Sequence, residues 1–222
     1  MKANFPTEYM TAVLSAESGD NETVAEVINE CQRMQLPVLA PHVNESFGNF
    51  TALKNNTGPA FAKASAGEDK IRFGLYTIKN LGTDIADAIV AERKQSGPYL
   101  TLATFLERVT HKNLNKKSLE SLIKAGALDG LGYDRATMLA NMEDLLEHNK
   151  ASGQSLNNQA SLFGAMSDQT TVPQLKLIPA KPITMKEQLA WEKDLLGLYL
   201  SGHPLEKFRE KINLAPFNLK KA

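Results

Sequence analysis

The sequence predicts a mainly α-helical chain with a small β element, and three observations carry that expectation. Apolar residues recur at helical spacing in runs such as "ETVAEVINECQRM" and "NKKSLESLIKAG". Glycine and proline punctuate those runs, as in "SGDN" and "SGPY". The period changes after residue 35, where "LPVLAPHVNES", "FTAL" and "KIRFGLY" hold prolines, apolar pairs and short strand-like stretches.

Taken in order, "TEYMTAVLSAE" places Tyr9, Met10, Val13 and Leu14 at helical spacing, with Thr7 positioned to cap. A second helix is predicted from Glu22 to Met34, with Val24, Val27, Ile28 and Cys31 in one stripe. "KNNTGPAFAKASAGED" is rich in Gly, Asn and Ala and predicts a mobile loop between two strands. Helices dominate from Ile78. "TDIADAIVAERKQ" opens on Thr83 and Asp84 as cap and first-turn acid and stops before Gly97-Pro98. "TLATFLERV" and "NKKSLESLIKAG" are short helices, and "DRATMLANMEDLLEHNKAS" reads as one longer helix. Residues 150–183 read as a polar linker. "TMKEQLAWEKDLLGLYL" then carries Leu189, Leu195, Leu196, Leu198, Tyr199 and Leu200, "SGHP" stops it, and "LEKFREKI" adds a last short helix.

Composition narrows the classes. Lys+Arg and Asp+Glu both number 25 in 222 residues, which excludes a wholly electrostatic nucleic-acid binder but leaves room for a local basic patch. One cysteine cannot form an internal disulfide, so a reducing compartment is expected, with Cys31 packed on a helix face. No run approaches the roughly 18 apolar residues of a membrane span. The N-terminus lacks a signal-peptide core, so the expected location is cytoplasmic, with no membrane partner.

Catalytic chemistry finds no foothold. His42, His111, His148 and His203 show no metal-ligand spacing with one another or with Cys31. Phosphate-loop, nucleophile-elbow and zincin patterns are missing. Glu143-Asp144 fits a solvated helix face, and His203 fits a turn before Pro204. No catalytic residue, metal or cofactor is assigned.

Two stretches carry an argument for binding. In "LYTIKNLGTDIADAIVAER", Asn80 and Gly82 are residue types that tolerate left-handed backbone, and a tight turn there would expose successive N–H groups at the start of the helix opening at Thr83. Such a nest suits phosphate, and Lys79 adds a point charge. In "HKNLNKKSLESLIKAGALDGLG", Lys112, Lys116, Lys117 and Lys124 cluster within thirteen residues that hold Glu120 as the one acid, ahead of a second glycine turn. The plain alternatives are turn punctuation and a solvated helix face. A third oddity is "NNQASLFG", which strands the apolar pair Leu162-Phe163 inside the polar linker.

"IRFGLYTIKNLG", "NKKSLESLIKAGALDGLG", "QASLFG" and "LAWEKDLLGLYLSGHPL" occur in that order, and together they resemble the C family of bacterial replicative DNA polymerases, the polymerase III alpha subunits. The likeness covers nearly the whole chain, and "EKDLLGLYLSGHPL" is its most specific string. The resemblance implies a middle fragment of a longer polymerase. Residues 1–70 would be the end of the fingers region, 71–149 a tandem helix-hairpin-helix DNA-binding region, 150–183 a flexible linker with a clamp-binding motif, and 184–222 the C-terminal helices of the clamp-binding region. It assigns Lys79, Asn80, Leu81, Gly82 and Thr83 to the first hairpin, and Ala125, Gly126, Ala127 and Leu128 to the second. With Lys116 and Lys117 these form the implied duplex-DNA contact, independent of base sequence. Asn80 stands where the family commonly has glycine, and no lysine follows Gly126. The family's catalytic aspartates lie upstream of this stretch.

The family also places a sliding-clamp motif, Gln-x-x-Leu/Met-Phe, after the hairpins. Gln159, Ala160, Ser161, Leu162 and Phe163 match it, with Ala160 where leucine is often found. The implied partners are double-stranded DNA, the sliding clamp (beta subunit), and the remaining polymerase domains and replisome subunits. The alternatives are a structural scaffold, with the hairpins and Leu162-Phe163 packed internally, and a stand-alone helix-hairpin-helix repair protein, which would need catalytic residues.

Overall fold

The amphipathic runs become helices whose ends are set by identifiable caps. The computed structural model describes residues 2, 4–53, 69–158 and 175–202. Helix α1 spans Pro6–Ala16 and α2 spans Asn21–Arg33. Proline enters α1 at its first turn, where no N–H partner is lost, so Thr7 lies inside the helix rather than capping it. Its buried hydroxyl instead donates to Asp69 Oδ2 at 3.2 Å. Asp20 caps α2, its Oδ1 accepting from the N–H groups of Glu22 and Thr23. The far end of α2 closes on Gln35, at φ 58, and the Leu36 N–H donates to Cys31 O at 2.9 Å, a Schellman closure.

A small sheet follows, with strands β1 (Val38–Leu39), β2 (Thr51–Leu53) and β3 (Lys70–Arg72) in the order β1-β3-β2. β1 runs parallel to β3, with Val38 opposite Ile71, and β2 runs antiparallel, with Ala52 opposite Ile71. The strand expected over "KIRFGLY" ends at Arg72. Gly74 then lies directly on the backbone of Gly48 and Asn49, with no room for a side chain. The chain curls into a single 3-10 turn at Leu75–Thr77.

The remaining elements are α3 (Thr83–Ser96), α4 (Leu102–Arg108), α5 (Lys116–Lys124), α6 (Arg135–Ala140), α7 (Met142–Asn158) and α8 (Met185–Leu196). Three expectations are corrected here. The single helix read over 134–152 is two helices that meet at Asn141. Asn141 Nδ2 donates to Ile178 O at 2.8 Å, and Asn141 Oδ1 accepts from the Ile178 N–H at 3.0 Å. Residues 175–178, read as linker, are therefore tied to the fold, and Tyr133 Oη adds a bond to Leu175 O at 3.2 Å. The other end of that expected linker also differs, because α7 runs on to Asn158. The third correction concerns α8. It stops at Gly197, at φ 80, rather than continuing through Leu200.

The apolar stripes of all these elements meet in one core. It runs from Leu14 and Cys31 through Ile71 to Phe105, Leu122 and Leu195. Each fully buried side chain of this size contributes about 1.5–3 kcal/mol. Burial pushes the Cys31 thiol up to about 11, with Glu30 adding to the shift, as suits a packing residue. No helix among the described residues is long and apolar enough to cross a membrane.

Candidate nucleic-acid interface

The first hairpin joins the 3-10 turn to α3. Leu81 anchors it, 7% exposed, while Lys79, Asn80, Gly82 and Thr83 face solvent. Asn80 takes the left-handed conformation expected of it, at φ 66. Gly82 does not. At φ −67 and ψ 149 it is an extended N-cap, and the Asp84 carboxylate stands where its Cβ would be. The N–H groups of Gly82 and Thr83 have no acceptor among the described residues. Both residues are exposed at the positive end of a 14-residue helix.

The structure brings the lysine cluster to this point. Asn113, just before α5, donates its Nδ2 to Asp84 Oδ2 in the first turn of α3. Asp84 Oδ1 also accepts from the Ile85 N–H at 3.0 Å. The Asn113 amide, then Ile85 and the nearby His111, hold the Asp84 carboxyl below its usual range. Lys112, Lys116 and Lys117 are exposed around this junction. The N–H groups that open α5 are already used: Asn115 Oδ1 accepts from Lys117 and Ser118 at 3.0 and 3.1 Å in a capping box. Lys116 and Lys117 therefore offer side-chain charge only. Lys79 is paired, its Nζ 2.8 Å from Asp194 Oδ1 on α8, and its own N–H donates to Leu195 O at 3.0 Å.

Gly126 is not brought to the same place. It lies beyond the other end of α5, a helix of nine residues, about 13 Å long. Its φ of +81 closes α5 in a Schellman motif, with Gly126 N–H to Ile123 O at 3.0 Å and Ala127 N–H to Leu122 O at 2.9 Å. Ala125, Ala127 and Leu128 are buried. Three residues the sequence reading missed hold this turn. Arg135 Nε and Nη2 donate to Asp129 Oδ1 and Oδ2 at 2.9 and 2.5 Å, and its Nη1 donates to Lys124 O at 3.2 Å. His42 Nε2 lies 3.0 Å from Asp129 O, while its Nδ1 accepts from the Asn44 N–H at 3.1 Å. Those partners define a neutral ring protonated at Nε2.

Beside these turns lies an open groove of about 660 Å³ between α5, α8 and the α6–α7 junction. Lys116 and Lys124 line one side, Glu143 and Asp144 another, and Lys124 Nζ sits 5.4 Å from the Trp191 ring centroid. The carboxylate of Glu192, 2% exposed, organises the segment after α8. It accepts from the N–H groups of Leu200 and Ser201 at 2.8 and 3.0 Å and from the Ser201 hydroxyl. Gln159, Ala160, Ser161, Leu162 and Phe163 lie outside the described residues, as do His203 and the last short helix expected at 205–212. No group of His, Cys, Asp and Glu among the described residues could hold a metal ion.

Comparison with known proteins places this geometry. The helix-hairpin-helix motif family matches residues 35–138, a span that includes the sheet and both turns. The alpha subunit of DNA polymerase III from Thermus aquaticus is 39% identical over 208 residues, covering 94% of this chain and 15% of that protein. Its counterpart in Deinococcus radiodurans is 39% identical over 212 residues, covering 93% of this chain and 14% of its own. That of Helicobacter pylori is 37% identical over 218 residues, covering 96% and 17%. The chain belongs to the DNA polymerase III alpha subunit family. It spans about a sixth of the length of these relatives. Within this alpha-subunit segment the first hairpin and the start of α5 lie close together and exposed, while the turn at Gly126 is buried at the far end of α5.

Proposed function

We propose that this segment of a DNA polymerase III alpha subunit binds duplex DNA without sequence preference and docks on a sliding clamp. The observation that carries the DNA reading is the open pair of N–H groups at Gly82 and Thr83 beside Lys112, Lys116 and Lys117. Backbone N–H groups and lysines suit phosphate oxygens and carry no base information, so such a contact positions the duplex rather than reading it. In a longer replicative polymerase this grip would hold duplex DNA, while nucleotidyl transfer belongs to residues elsewhere in that protein.

The clamp contact is proposed for Gln159–Phe163. Burial of Leu162 and Phe163 in a partner's pocket would contribute roughly 1.5–3 kcal/mol each. The association cost leaves a net affinity on the order of micromolar. Weak docking suits a tether, because clamp and hairpins gripping one duplex reinforce each other through effective concentration. Phe163→Ala should abolish clamp binding in a surface-plasmon titration and leave duplex affinity unchanged. Undiminished clamp affinity would remove this part of the proposal.

A structural role is favoured at the second hairpin by one observation: the N–H groups of Gly126 and Ala127 already donate within the turn. In this reading Gly126 keeps the hairpin's shape while the exposed first hairpin and α5 meet DNA.

A further inference from the structure

We propose that the first hairpin is self-masked: Asp194 of this chain holds its lysine, and the Asp84 carboxylate stands over the backbone that a duplex phosphate would use. The inference rests on the reading of that hairpin as a duplex contact. Two independent contacts carry it. Lys79, the hairpin's own lysine, pairs with Asp194 on α8, and its backbone N–H is tied to Leu195 O of the same helix. The side chain of Lys79 therefore starts beside Asp194. At the start of α3, the Asp84 carboxylate occupies the space over Gly82, held by Ile85 and Asn113. A phosphate approaching Gly82 and Thr83 would meet that like charge first.

The Asp194 contact can yield. Lys79 and Asp194 keep 59% and 66% of their side-chain surface exposed, so their pairing is solvent-screened and exchangeable. Lys124 also acts on Asp194, and would remain beside it once Lys79 turned to DNA. Grip of the first hairpin on DNA and its grip on α8 thus draw on the same lysine.

The test uses the 222-residue chain. A fluorescently labelled duplex is titrated by anisotropy across a salt series with Asp84→Asn, Asp194→Asn, both together, and Lys79→Gln combined with Asp194→Asn. Circular dichroism checks that helix content is unchanged. Each single variant should raise low-salt affinity by about two- to five-fold. Asp194→Asn should also steepen the salt slope by about one, because Lys79 can then displace a counterion. Both effects of Asp194→Asn should disappear in the Lys79→Gln background. Folded variants that bind as the parent chain does would overturn the masking and leave the DNA reading intact. Binding by the double variant alone would support masking in its strongest form. If neither the parent nor the double variant binds duplex at low salt, the hairpin reading falls and the masking with it.

Discussion

The guanidinium of Arg135 lies over Gly126, on the spot where a side chain at that position would stand. The glycine therefore meets two demands at once, a left-handed backbone at φ +81 and a close approach by a charged group. Gly130 has the same backbone sign, φ +82, but open space around it. Urea unfolding should separate the two demands. Gly126→Ala should cost about 3 kcal/mol and Gly130→Ala about 1 kcal/mol. Equal costs would mean that Arg135 does not press on Gly126.

Arg135 is the second test of that turn. Its side chain is 11% exposed, and its donors reach both carboxylate oxygens of Asp129 and the carbonyl of Lys124. Arg135→Ala should lose about 2–3 kcal/mol of stability. Arg135→Lys should recover little of it, because a single ammonium cannot span the forked geometry.

Glu192 explains why the chain after α8 turns back. Its buried carboxylate accepts from Leu200, Ser201 and the Ser201 hydroxyl. Glu192→Ala should cost about 1–3 kcal/mol and leave those backbone donors without a partner. Hydrogen exchange at Leu200 and Ser201 should accelerate well beyond the change at α5.

His42 sets a pH dependence of known sign. Burial is the main cause that lowers its pKa below 6.5, with Arg72 acting the same way, while Glu45 and Asp129 oppose it. The unfolded chain then takes up the proton first as pH falls. Its stability contribution is complete above about pH 6.5 and is lost as pH drops through the depressed folded value. The slope cannot exceed about 1.4 kcal/mol per pH unit for one proton. Thermal melts between pH 7 and 5 should show this loss, and His42→Gln should flatten it at a lower overall stability.

Much of this architecture is readable from local pattern. The stripes of α2 and α5 obey one helical period, and Asn80 is left-handed because its short polar side chain tolerates that backbone. Other features depend on partners far along the chain. "TMLANMED" keeps an apolar period across Asn141, and the break there is tied to bonding with Ile178, 37 residues on. His42 meets Asp129 across 87 residues, so no local spacing reveals its role in the second hairpin. Gly82 was legible as special but for the wrong reason. Its extended backbone needs no glycine, and the atom that meets its missing side chain is the Asp84 carboxylate. The pairing of Lys79 with Asp194 spans 115 residues and was equally hidden.

The central claim is that the first hairpin and the start of α5 grip duplex phosphates. The salt dependence of duplex affinity for the parent chain and for Lys116→Gln/Lys117→Gln, on two unrelated sequences, tests it most directly. The account predicts a linear fall of log affinity with log salt, identical for both sequences, with a slope shallower by about two in the variant. An unchanged slope, or a clear preference for one sequence, would contradict it.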